Sequence, residues 1–60
     1  MTASQVRWAS QHDWFLSSKQ TDYVYTVIVT GYEWSDMLKE YYPIPLQFTD
    51  INELKAWAGY

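Results

Sequence analysis

Apolar and polar positions change period several times along the sixty-residue chain. Residues 3–12 carry a helical pattern, with Val6 and Ala9 on one side and Trp8 on its margin. Thr2 and Gln5 have the spacing of a capping box, and Ser4 is the other candidate cap. Trp14 to Ser17 reads as a short strand, because rings and branched chains suit a half-buried pleat. Ser18 to Asp22 is polar and turn-like. Tyr23 to Thr30 is almost wholly aromatic or β-branched and is the best strand in the chain. Tyr23, Tyr25, Val27 and Val29 point one way and Val24, Thr26, Ile28 and Thr30 the other. Both sets are rather apolar, which puts this strand at the centre of a sheet, paired to the first by a hairpin.

After Gly31 the period shifts towards that of a helix. Trp34, Met37, Leu38 and Tyr41 fall at i, i+3, i+4 and i+7, so Tyr32 to Tyr42 is expected to be helical and to stop at Pro43. Glu33, Asp36 and Glu40 then form an acidic stripe on another face, and Ser35 serves as a late cap. A competing arrangement continues the strand through Tyr32 and Trp34 and starts the helix at Asp36. Ile44 to Phe48 alternates, with Ile44, Leu46 and Phe48 inward, and Pro45 makes it an edge strand. The last segment has clear helix signals: Asp50 as N-cap, Glu53 three residues on, an inner stripe of Ile51, Leu54, Trp57 and Ala58, and Gly59 as terminator. The expected fold is therefore one α+β domain over residues 1–60, in the order α-β-β-α-β-α. It has a three-stranded, mostly antiparallel sheet with short helices on one face.

Composition alters this picture in three ways. Without cysteine there is no disulfide or thiolate metal site to reinforce a core this small. Four Trp, six Tyr and two Phe replace them, more rings than such a core can enclose, so several tyrosines must lie at the surface. Seven acids against four bases give a net charge of −3, which disfavours direct contact with nucleic acid or an anionic membrane and favours a basic protein surface. The first residues lack a basic segment followed by an apolar run, and the longest aliphatic run is Val27-Ile28-Val29, so a cytoplasmic location is expected.

Candidate chemistry is sparse. The single histidine, His12, is adjacent to Asp13 and fits a helix end near the C-terminal carbonyls better than a catalytic triad. One histidine and no cysteine cannot make a zinc centre, and the acids do not follow a calcium-loop spacing, so no metal and no cofactor is expected. Glu33, Asp36 and Glu40 are the only carboxylate cluster, on a fold with little depth for a pocket. Their row suits Arg and Lys groups of a partner built to grip phosphates, and Tyr32 and Tyr42 flank it. In size, acidity, absence of cysteine and want of a catalytic constellation, the chain resembles small phage and mobile-element proteins that disable host defences, anti-CRISPR proteins among them. That resemblance implies a non-enzymatic inhibitor, a monomer or weak homodimer, that blocks the basic nucleic-acid-binding site of a host defence protein, in the manner of a DNA mimic. The alternative is a small adaptor or antitoxin-like protein that homodimerises through its surplus rings.

Overall fold

The computed structural model describes residues 1–60. The elements are α1 (Ala3–Ala9), β1 (Phe15–Thr21), β2 (Val24–Ser35), β3 (Glu40–Phe48) and α2 (Ile51–Ala58). The three strands form an antiparallel meander in the order β1-β2-β3, so β2 is central and β3 is an edge, as the sequence implied.

The helix ends follow from their caps. The Thr2 hydroxyl accepts from the Gln5 N–H and the Gln5 side chain accepts from the Thr2 N–H at 2.8 Å, completing the capping box. This helix ends at Ala9, three residues short of the expected end at His12, and the His12 ring donates back to the Trp8 carbonyl at 2.9 Å, covering the end of the helix. Asp50 accepts from the Glu53 N–H at the start of α2, and Gly59 closes it in left-handed backbone with φ 94°.

Both helices lie on the side of the sheet to which Val27 and Val29 point. Ala9 and Leu54 meet these two valines, and the four are fully buried. Phe15, Leu46, Phe48, Ile51, Trp8 and Trp14 pack around them half-buried. The opposite face of the sheet has no helix on it.

Two strands differ from expectation at the first hairpin. β1 starts at Phe15 and runs on through the polar residues to Thr21, because the ladder with β2 satisfies its backbone whatever its side chains. Only Asp22 and Tyr23 are left for the turn, with φ 48° and 68°, the two positive values of a type I′ turn. Tyr23 is therefore a turn residue, not the first residue of the strand.

The main correction concerns residues 32–42: the strand continues through Tyr32 and Trp34, as in the competing arrangement, but no helix follows in either arrangement. β2 continues to Ser35, a four-residue loop (Asp36–Lys39) reverses the chain, and β3 begins at Glu40. The order is α-β-β-β-α. Tyr, Trp, Ser and Asp are indifferent helix formers, while Tyr and Trp pack well on a pleated surface. Pro43 and Pro45 also hold Tyr42 and Ile44 extended. Ser35 caps the loop instead of a helix: its hydroxyl accepts from the Leu38 N–H at 3.1 Å and its carbonyl from the Lys39 N–H at 2.8 Å. Lys39 closes the loop at φ 56°.

Two substitutions test this architecture. A bulky side chain is disfavoured in left-handed backbone, so Tyr23→Gly is expected to raise unfolding free energy by about 0.5–1 kcal/mol in denaturant titration. At Gly31, a Cβ would lie 2.5 Å from Leu46 Cδ1 and 2.9 Å from Cγ, on the helix-covered face. Gly31→Ala is expected to lower stability by about 1–2 kcal/mol, read as a fall in Tm.

Candidate interaction surface

The ladder between β1 and β2 ends where Phe15 pairs with Val29, with one further bond from the Thr30 N–H to the Trp14 carbonyl at 2.8 Å. From Gly31 onward only β2 and β3 remain. Residues 31–44 thus form a two-stranded arm beyond the helices, in a molecule measuring 40 × 24 × 17 Å. A lone hairpin is marginal in water, so pairs across the strands must hold this one. Trp34 and Tyr41 are directly opposed and meet edge to face, with ring centroids 5.2 Å apart at 71°. The Trp34 Nε1–H donates to Asp36 Oδ1 at 2.9 Å. On the other face Tyr42, opposite Glu33, donates its hydroxyl to Glu33 Oε2 at 2.7 Å.

Strand alternation gives the arm two unlike faces. Tyr32, Trp34, Tyr41 and Pro43 lie on the side the helices leave uncovered. Glu33, Ser35, Glu40 and Tyr42 lie on the other. The tip carries Met37, 87% exposed, and Leu38, 64% exposed, between Asp36 and Lys39.

The residues anticipated as partner-binding are all on this arm, but not as a helical stripe. Glu33, Glu40 and Tyr42 share one face, with Glu40 two ladder steps nearer the tip. Asp36 sits in the loop, and Tyr32 belongs to the opposite face. The helical spacing of three carboxylates does not exist, because the segment is a hairpin. Trp34, Met37, Leu38 and Tyr41, expected as the buried side of a helix, are instead all exposed at or near the tip. A symmetric reading about Asp36–Lys39 would have found them, since Trp34 and Tyr41 stand at matching distances from the loop.

The other ring-rich region ties the ends of the chain together. His12 stacks on Trp14 at 4.6 Å and packs against Trp8 at 4.5 Å. Its Nε2 lies 2.8 Å from the Tyr60 hydroxyl, and Nδ1 is engaged by the Trp8 carbonyl. Trp57 joins Trp14 to Phe48, and Lys55 Nζ lies 5.5 Å above the Trp8 ring. The histidine therefore meets the helix end, as anticipated, but half-buried between two indoles.

No pocket indents the surface, and no group of three His, Asp or Glu side chains is placed to hold a metal ion. No helix is long and apolar enough to cross a membrane.

Glu33 raises the pKa of the Tyr42 hydroxyl above its ordinary 10, first by accepting its hydrogen bond and then through its negative charge. The folded state holds this proton more tightly than the unfolded chain. The bond's contribution is therefore full below pH 10 and is lost as pH rises through the folded-state value. Phenolate absorbance is expected to show one tyrosine ionising later in the wild type than in Glu33→Gln. Coincident titration curves for the two proteins would contradict the pairing.

No protein-family model, curated protein or solved structure matches this chain.

Proposed function

We propose that this protein is a non-enzymatic inhibitor that works by binding another protein, and that the β2–β3 arm is the part it inserts. The observation that carries this is the arm itself: two strands standing clear of the helices, with apolar side chains at the tip and carboxylates behind it. Ordinary small domains keep Met, Leu and Trp off a solvated tip, and an exposed cluster of this kind marks a contact surface.

Charge supports a partner class. Residues 31–44 contain three carboxylates, Glu33, Asp36 and Glu40, and one cation, Lys39. A cleft lined by Arg and Lys would meet Glu33 and Glu40 with charge-assisted hydrogen bonds while its floor receives Met37 and Leu38. Clefts of that chemistry are built for phosphate backbones. The partner class is therefore a nucleic-acid-handling protein, such as a host defence protein, and the arm would compete with nucleic acid for the site.

The test is affinity capture from a host lysate, comparing the wild type with a Glu33→Lys/Glu40→Lys double variant. Both changes lie on the face away from the Trp34–Tyr41 pair. Basic proteins retained by the wild type are expected to be released by rising salt or by duplex DNA, and the double variant is expected to retain at least about tenfold less, roughly 1.4 kcal/mol. Capture that survives both the charge reversal and the DNA competitor would rule out the proposal.

A further inference from the structure

β2 extends past its last bond to the β1 side of the sheet. There the Thr30 N–H donates to the Trp14 carbonyl at 2.8 Å, and beyond it only β3 accompanies β2. Main-chain groups alternate sides along a strand. The N–H and C=O of Tyr32 and Trp34 therefore point the way the Thr30 N–H does, where no strand lies beside them. Pro43 agrees with this register: it has no N–H to give and stands opposite Tyr32 in a pair that exchanges no bond. The rim along residues 31–35 is about 17 Å long and in line with β1, and both residues that face outward from it have donor and acceptor free. β1 has a free rim too, but its partner β2 is anchored there by the buried Val27 and Val29. The arm has two strands only and gains from a third.

Charge selects what fits there. A strand laid antiparallel along the rim exchanges about four bonds with Tyr32 and Trp34, and it sets one residue directly opposite Glu33 on the acidic face. Glu33 has no cation beside it in the ladder: its partner is Tyr42, whose hydroxyl engages only Oε2. The arm's one cation, Lys39, shares the loop with Asp36 and leads into β3, on the side away from this rim. We propose that the β2 rim of the arm takes up an extended segment of the protein it binds, as a third antiparallel strand. That segment has an Arg or Lys opposite Glu33, flanked by β-branched residues opposite Tyr32 and Trp34.

A second copy of this chain does not fit the rim. Two such rims engage both Tyr32 and Trp34 only about an axis at Glu33, which sets two carboxylates face to face. The β1 of another copy can bring Lys19 opposite Glu33, but Asp22 then falls opposite Thr30, where Trp14 already sits. The inference rests on the arm being the element that binds a protein. It does not rest on that protein handling nucleic acid.

Amide-resolved NMR with a short blocked synthetic peptide of alternating Val and Arg tests it. In the free protein the Tyr32 and Trp34 amides are expected to exchange with solvent about tenfold faster, or more, than those of Gly31 and Glu33, which face β3. The peptide is expected to bind with a Kd of about 1 mM or tighter and to slow exchange at both amides. N-methylation of its Val residues, whose N–H groups face β2, is expected to abolish binding. N-methylation of its Arg residues, whose N–H groups face away, is expected to leave the Kd within about twofold. Glu in place of Arg in the peptide is expected to weaken binding about tenfold, and Glu33→Gln in the protein about threefold, with the circular dichroism of the fold retained. A peptide that does not bind, or binds equally when methylated at either set of residues, overturns strand addition. So do Tyr32 and Trp34 amides already protected before any peptide is added. Binding indifferent both to the peptide's charge and to Glu33→Gln overturns the cationic occupant. A peptide that fails while DNA still releases captured proteins removes strand addition alone, and the converse removes only the phosphate-site reading.

Discussion

β2 is longer than anything that packs on it. Its first half has β1 alongside from Val24, strands on both sides at Val27–Val29 and two helices on one face, and all of the fully buried side chains are drawn from that half and from the helices over it. From Gly31 its only neighbour is β3. Every other property of the molecule follows from this mismatch. The outer half must be held by contacts across two strands, which explains why rings and hydrogen-bonded pairs, not aliphatic side chains, occupy it. It also exposes both sides of those strands, and so sets an aromatic surface and an acidic one back to back.

The inner half was largely legible in the sequence. Val27 and Val29 are buried because β-branched residues at alternate positions have one consistent side, and the helices capped by Thr2 and Asp50 begin where their side chains reach back to the backbone. The outer half was legible only in the strand through Tyr32 and Trp34 that one of the two arrangements contained, while the return strand read as a helix in both, and the reason is geometric. Trp34, Met37, Leu38 and Tyr41 satisfy the spacing of a helix face, but the same positions are equally the two ends of a reversal, with Trp34 and Tyr41 brought opposite each other by a four-residue loop. Periodicity cannot separate these when the apolar positions are symmetric about a turn. The extended bias imposed by Pro43 and Pro45 is the local signal that favours the hairpin.

The same ambiguity shaped the picture of the candidate site. Glu33, Asp36 and Glu40 were identified as a group, and all three do lie on the arm, but as a row they exist only if the segment is helical. In the hairpin, Glu33 is engaged by the Tyr42 hydroxyl and Asp36 by the Trp34 indole. Two of the three carboxylates thus have fixed orientations before any partner arrives, which lowers the ordering entropy a binding event must overcome. Ring placement, invisible to a helical wheel, determines which sides of the arm are free.

Pro43 and Pro45 have a consequence for assembly. They stand at alternate positions of the outer strand, opposite Tyr32 and Thr30, and so remove two successive outward donors from that rim. A further strand laid alongside would find acceptors with nothing to give in return. Growth of the sheet sideways into open-ended fibrils is discouraged there, and a protein with this much uncovered ring surface is steered towards finite, closed complexes.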